Sequence, residues 1–318
     1  MHSDLNVVYN SSNHLVSELL KHVALPNVHT VGVTHRKLCG IRKFMYRLTF
    51  IFSCFGNLKF FYEYSQLNAL SLISNESNIL LFDYVFLPLA IYLSNNKKCK
   101  VHLFLWNSIL NKKESVKIGR IQKYCNIYTF DTADAQKYGL SYLPQVMYQP
   151  AIQTVEEPDI DLYFVGKDKG RYEELNYIYK KLSSDGFKLK FIILPDCTSV
   201  PEDKEGLPYS YEYVSDKENL QNIANSKAIL DIPQLNQREM TRRPLEAFFC
   251  NKKLVTISKD SLVSFDALCN TSNTFVLTTK TSNESFRDFL SSKLLALLFF
   301  CSSPAPPGIA SIVVCFIC

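Results

Sequence analysis

The chain has 318 residues, enough for two domains that each bury a core. Charged residues make up 20% and aromatics 13%, which excludes a disordered chain, and a net charge of +5 is too modest to imply a nucleic-acid partner. All 6 histidines (His2, His14, His22, His29, His35 and His102) lie in the first third, so a zinc site built from the second half would lack imidazole. The 10 cysteines offer one CxxC spacing, Cys315 to Cys318, and no secretory signal is expected ahead of them. They read as reduced thiols in the cytosol.

Leu5–Tyr9 reads as a first strand, Leu15–Val23 as a helix and Val28–Val33 as a second strand. Arg36 to Tyr64 differs in kind. Arg36, Lys37, Arg42, Lys43, Arg47 and Lys59 are interleaved with Phe44, Tyr46, Phe50, Phe52, Phe55, Phe60, Phe61 and Tyr62. Such a segment fits core-packing helices with solvated lysines, and it also fits an anionic membrane surface. Asn78–Asp83 is expected to be a buried strand, Val85–Leu93 a helix, and Lys100–Trp106 and Asn126–Phe130 further strands. Asp131, Thr132 and Asp134 have the pattern of a helix N-terminus, a capping residue followed by an acid in the first turn. Alternating strands and helices predict a parallel, doubly wound sheet whose ligands gather at the strand C-termini. Asp83, Trp106, Asn107 and Asp131 stand at such ends.

Tyr148 to Asp159 carries two prolines and no periodicity, and reads as a linker. The alternation then restarts. Asp161–Val165 is a strand, Gly166-Lys167-Asp168-Lys169-Gly170-Arg171 a turn, and Tyr172–Asp185 an amphipathic helix stopped by Gly186. A glycine-bearing cationic turn between a strand and a helix suits a phosphate, although it fits neither the dinucleotide nor the P-loop pattern. Lys188–Leu194 and Tyr211–Val214 are expected strands, and Asp216–Ser226 is an expected helix.

Next comes Ala228 to Ile257. Here a strand runs into Pro233 and a polar loop follows. Thr241 and Pro244 then open a helix carrying Arg242, Arg243 and one acid, Glu246, before another strand begins.

With these residues in place, the second half resembles the nucleotide-sugar-binding domain of GT-B-type glycosyltransferases. More narrowly, it is similar to bacterial proteins of capsule or lipopolysaccharide biosynthesis. Those pair a VGKDKGR turn, here Val165–Arg171, with a SKAILDI…TRRPLEA…KKL block, here within Ser226–Thr256. The pieces NILLFD, FLWN and FDTADAQKYGL extend the likeness weakly into the first half.

The resemblance implies an α/β fold of two Rossmann-like parallel-sheet domains facing a cleft. Residues 1–150 would form the acceptor side and 151–290 the nucleotide-sugar domain. It implies that Gly166, Lys167, Gly170 and Arg171 hold the donor phosphates, and that Arg242 or Arg243 neutralises the departing diphosphate. Glu246 would hold the ribose hydroxyls. Fixed cations would then stabilise the leaving group, so neither a metal nor a cofactor beyond the nucleotide-sugar substrate is expected. An inverting enzyme would also need a base, for which Asp83 and Asp131 stand first and His14 or His102 behind them. A retaining enzyme would need none.

The expected activity is transfer of a sugar to a surface polysaccharide or lipid-linked acceptor. It would take place in the cytoplasm or at the inner face of the cell membrane. The alternatives are a non-catalytic member of a polysaccharide assembly complex and an epimerase of the same architecture. The absence of histidine from the second half weighs against the epimerase.

Two departures stand out. Gln237-Arg238-Glu239-Met240 is bulky where a glycine-like loop is expected beside a nucleotide. After Ser292 the chain turns abruptly apolar and proline-broken, in pieces too short to span a bilayer. Residues 291–318 are therefore expected to stand outside the native fold.

Overall fold

The computed structural model describes residues 4–21, 27–33, 40–41, 44, 73–109, 112–145, 147, 150, 152, 155–200, 205–233, 241–258 and 272–294. Most of the basic aromatic segment from Arg36 to Tyr64, the Gln237–Met240 loop and nearly all of the apolar tail lie outside them. The chain divides into two compact units, with the change between Val146 and Met147.

The first unit is built on a six-stranded parallel sheet: β1 (Leu5–Asn10), β2 (Val28–Val33), β3 (Asn78–Phe82), β4 (Lys100–Leu105), β5 (Asn126–Thr129) and β6 (Ser141–Tyr142). Their order is β2-β1-β3-β4-β5-β6. The helices are α1 (His14–Lys21), α2 (Leu87–Ile91) running into a π-helical turn at Tyr92–Asn96, α3 (Lys112–Ile121) and α4 (Thr132–Tyr138). Parallel strands covered on both faces need continuous apolar runs, and ILLF of β3 and VHLFL of β4 are buried throughout.

The second unit holds β7 (Ile160–Lys167), β8 (Leu189–Leu194), β9 (Ser226–Asp231), β10 (Lys253–Thr256) and β11 (Thr274–Val276), in the order β11-β10-β9-β7-β8. Its helices are α5 (Tyr172–Ser184), α6 (Asp216–Ala224), α7 (Arg242–Phe249) and α8 (Asn283–Ser291). Strand alternation sorts the side chains onto two faces. Leu162, Phe164, Ala228 and Leu230 pack with α5 and α8, while Tyr163, Val165 and Ile229 pack with Ile223 of α6 and Ala247 of α7.

Both sheets grow outward in two directions from their first strand. β1 lies between β2 and β3, and β7 between β8 and β9. The crevice at each reversal, beside the strand C-termini, is where a doubly wound sheet takes a ligand.

Four elements depart from the sequence expectation. Tyr211–Val214 forms no strand; among the described residues, pairing with β8 on the side away from β7 is one bridge between Ile193 and Tyr209. α3 is polar overall, and β6 and β11 are two and three residues long, so each carries too little apolar sequence to announce itself.

Candidate functional site

The reversal point of the second sheet holds the expected phosphate turn, and the turn is already full. Lys169 and Gly170 both have positive φ, 50° and 77°, which aims successive amides to one side. Lys169 N–H donates to Asp196 Oδ2 (3.1 Å) and Gly170 N–H to Thr198 Oγ1 (2.8 Å). The amides of Arg171 and Tyr172 both donate to Asp168 Oδ1, each at 3.0 Å. Asp168 is fully buried, and its other oxygen accepts from the Tyr209 hydroxyl at 2.6 Å. It is an internal anion at the start of α5, where the sequence pattern predicts the ligand's phosphate.

Arg171 also has a different role from the one expected. Its guanidinium donates to the carbonyls of Asp168 (3.1 Å), Ile232 (2.7 Å) and Lys167 (2.5 Å). It ties the end of β7 to the residue just after β9, and burial lowers its pKa. Gly166 serves this tie, since a Cβ there would stand 3.1 Å from Arg171 Nη2 and 3.3 Å from the Phe164 ring. Lys167 is exposed and Lys169 half-buried, so the ammonium groups remain the turn's available cations. Burial and the neighbouring Arg171 and Lys167 charges lower the Lys169 pKa.

One face of the sheet carries Glu246, entirely buried on α7. Thr241 caps this helix, its hydroxyl accepting from Arg243 N–H at 3.1 Å, and Pro244 sits in the first turn, where its missing N–H costs nothing. Arg242 Nε lies 2.9 Å from Glu246 Oε1, Asn219 Nδ2 donates to the same oxygen at 3.1 Å, and Arg243 Nη1 pairs with Oε2. Arg242 is also held by Asp216 at 2.9 Å. Asn219 accepts from the Tyr163 hydroxyl at 3.0 Å. Glu246 is thus neither an open carboxylate awaiting a diol nor a solvated surface acid.

Asp231, for which the sequence raised no expectation, lies at the end of β9 beside this network. It is fully buried, and its Oδ1 accepts from Thr241 Oγ1 at 2.6 Å. Its Oδ2 has no hydrogen-bond partner among the described residues. Burial raises its pKa to about 6 against the opposing pull of Arg171 and Arg243. An acid closing an apolar strand at the reversal point was the available signal.

The first unit sorts the base candidates. Asp83 follows β3 at the β1–β3 reversal with φ of 48°, a left-handed conformation that aspartate tolerates. Its carboxylate accepts from Trp106 N–H (3.0 Å) and Asn107 Nδ2 (2.9 Å), and burial raises its pKa to about 6. Asp131 is a cap: it is buried, and its Oδ1 accepts from the amides of Ala133 (2.9 Å) and Asp134 (3.2 Å) while Oδ2 accepts from Ser108 Oγ at 2.8 Å. Those bonds fill a carboxylate that a base would need open. His102 sits inside β4, buried, with Nδ1 3.3 Å from the Tyr128 hydroxyl, and burial lowers its pKa. His14 is exposed at the first position of α1.

No protein-family model matches the sequence. No curated protein matches it either. Solved structures do resemble it. A UDP-forming α,α-trehalose-phosphate synthase from Burkholderia vietnamiensis matches with a TM-score of 0.54 at 12% identity, over 92% of this chain and 92% of that one. The Burkholderia xenovorans enzyme in complex with glucose-6-phosphate matches at 0.54 and 9% identity, over 92% and 93%. An α-glucosyltransferase in complex with UDP and a 13-mer DNA matches at 0.50 and 11% identity, over 91% and 89%. At these identities the likeness is one of fold. The chain has the two parallel-sheet α/β domains of GT-B glycosyltransferase structures.

Proposed function

We propose that the protein is a glycosyltransferase that takes its sugar from a nucleoside diphosphate and binds that donor at the reversal point of the second sheet. The observation that carries this reading is the placement of Lys167, Lys169 and Arg243 around the ends of β7 and β9, in a fold shared with glycosyltransferases. Two of the solved structures support the donor class by their own descriptions, one as UDP-forming and one as bound to UDP.

Clustered cations stabilise a diphosphate as it leaves, and they offer a route to transfer without a metal. The sequence resemblance assigns Glu246 to the ribose, which would have to displace one of the Arg243 or Asn219 contacts to reach the carboxylate. Among the strand-end acids Asp83 is the stronger base candidate, because Asp131 spends Oδ1 on the α4 cap and Oδ2 on the Ser108 hydroxyl. The assignment to a surface polysaccharide or lipid-linked acceptor, in the cytoplasm or at its membrane face, rests on the sequence resemblance. No helix among the described residues is long and apolar enough to cross a membrane.

A thermal-shift panel of UDP, GDP, ADP and CDP tests the donor site, followed by radiolabelled transfer from the matching nucleotide sugars. A nucleotide at about 100 times its Kd adds roughly 2.7 kcal/mol, a shift of several degrees. Absence of a shift with all four overturns the reading. A shift without hydrolysis or transfer favours the non-catalytic alternative.

A further inference from the structure

We propose that the outer face of α3 is a docking surface for a layer of anionic lipid headgroups. The proposal is independent of the donor site, and it gives the first unit a side on which to lie against a membrane.

The helix is two-sided. Ile118 and Ile121 are buried and belong to the same core cluster as Leu89 and Ala90 of α2 and Leu103 of β4. At 3.6 residues per turn the side away from them carries Val116, Lys117 and Arg120, and Lys123 follows in the closing turn. All four are exposed, Val116 by 49%. In sequence the helix also opens on Lys112 and Lys113. Its one acid, Glu114, stands on a different flank, where its charge reaches Asp83 and Asp134 at the strand ends. A cation in the last turn, Arg120, complements the helix dipole, but Lys117 in the middle of the helix has no such role.

Gly119 is the second observation. It lies inside α3 and is exposed, and among the described residues a Cβ there would meet nothing within 4 Å. Glycine weakens a helix interior, and no packing contact offsets that here. On the exposed side of a helix it lets a flat surface come close to the backbone.

The chemistry of the face selects lipid among anionic partners. Nucleic-acid strands are held by cations interleaved with exposed aromatic rings, and this face has none. An acidic protein would need an apolar centre to its interface, and Val116 alone does not make one. A row of cations around a single aliphatic side chain on a straight rod suits a planar headgroup layer, with the isopropyl group at its inner boundary.

The test measures partition of the full chain by co-sedimentation with vesicles of phosphatidylcholine, with and without phosphatidylglycerol. The wild type should bind only the anionic vesicles, and salt should release it. The triple variant Lys117→Gln, Arg120→Gln, Lys123→Gln alters exposed side chains and leaves the core alone. It should bind about 100-fold more weakly, about fivefold for each cation. Lys188→Gln, Lys217→Gln and Lys280→Gln together remove the same charge from exposed positions of the second unit and should leave binding nearly as in the wild type. Val116→Trp should tighten binding, and its added fluorescence should shift to the blue on anionic vesicles.

Failure of the wild type to bind anionic vesicles overturns the proposal. Equal losses in the two triple variants overturn it as well, since net charge would then be the cause. An unmoved Val116→Trp emission with binding intact puts the contact elsewhere on the chain. Tighter binding to an RNA or DNA oligonucleotide than to vesicles at equal salt assigns the face to nucleic acid instead. None of these results bears on the nucleotide thermal-shift panel, so the donor site stands or falls separately.

Discussion

Arg171 Nη1 donates to the Ile232 carbonyl at 2.7 Å, joining residues on either side of the reversal point of the second sheet. Strands β7 and β9 pair directly only near their beginnings, from Ile160↔Ser226 to Tyr163↔Ile229. Toward the C-terminal edge the two strands part, and the guanidinium bridges the gap with bonds to Ile232, Lys167 and Asp168. A residue expected to hold a ligand's phosphate spends its guanidinium on three backbone carbonyls in this structure.

The first prediction follows from that role. Arg171→Met keeps the buried stem but removes the donors, leaving carbonyls at the crevice less satisfied. Hydrogen bonds from a charged group contribute about 1.5–3 kcal/mol each, though such losses do not add fully. We expect a loss of roughly 2–4 kcal/mol in urea unfolding. Arg171→Lys should recover only part of it, because an ammonium cannot span three carbonyls in the plane of a guanidinium. Full stability in Arg171→Met would show that the bridge is dispensable.

Asp231 gives a prediction in pH. Its pKa is about 6 in the fold against an ordinary 3.8, so folding favours the neutral carboxyl. The corresponding stability is fully present below the unfolded value and is lost as pH rises through about 6. Asp231→Asn cannot ionise, and its amide oxygen can still accept from Thr241. Whatever the offset between the two proteins in acid, wild type should lose about 2 kcal/mol relative to the variant between about pH 4.5 and about pH 7.5. Chemical denaturation at several pH values measures the difference. A pH-independent gap would mean that the carboxyl stays ionised throughout.

How much of this was legible in the sequence depended on whether the signal was local. The parallel strands were readable because burial on both faces demands apolar runs such as NILLF and KVHLFL, bounded by polar residues. The glycine-bearing turn and the Arg-Arg-Pro-Leu-Glu helix start were equally visible. Their occupancy was not. That Asp196 and Thr198 would cover the amides of Lys169 and Gly170 depends on a contact spanning 27 and 28 residues, which no spacing rule anticipates. Glu246 looked like a lone acid among apolar neighbours because Asn219, itself held by Tyr163, reaches it from another element. The Asp131 cap was visible as a pattern, but the Ser108 hydroxyl that completes its bonding was not.

Asp83 and Asp131 differ in a way that activity and stability can separate. Asp131→Ala removes the acceptor for two amides at the start of α4 and should cost about 1–2 kcal/mol. Its effect on transfer should only track the loss of folded protein. Asp83→Asn should keep most of the fold, since asparagine tolerates the left-handed backbone and its oxygen can still accept from Trp106. If Asp83 is the base, kcat falls by about 100-fold or more in that variant, and the acid limb of the wild-type rate profile near pH 6 disappears. An unchanged kcat in Asp83→Asn would point to a retaining enzyme or to another base.

Lys253 carries the last prediction, which concerns where the fold of the second unit closes. It lies buried on β10, yet its ammonium reaches the C-terminal end of α8. It donates to the Phe289 carbonyl, to Leu290 O at 2.9 Å and to Ser292 O at 2.5 Å, and it lies 5.1 Å from the centre of the Phe289 ring. A cation here satisfies carbonyls that a helix end leaves open and complements the negative end of its dipole. Burial lowers its pKa, so the charge itself is held at a cost that the carbonyls offset. Lys253→Met fits the same space but abandons those carbonyls in an apolar setting, and should cost about 2–4 kcal/mol. Hydrogen exchange locates the damage: α8 and β10 should lose protection first, while α5 keeps its own. Uniform loss across the second sheet would instead make Lys253 part of the global core and leave α8 with no separate closing contact.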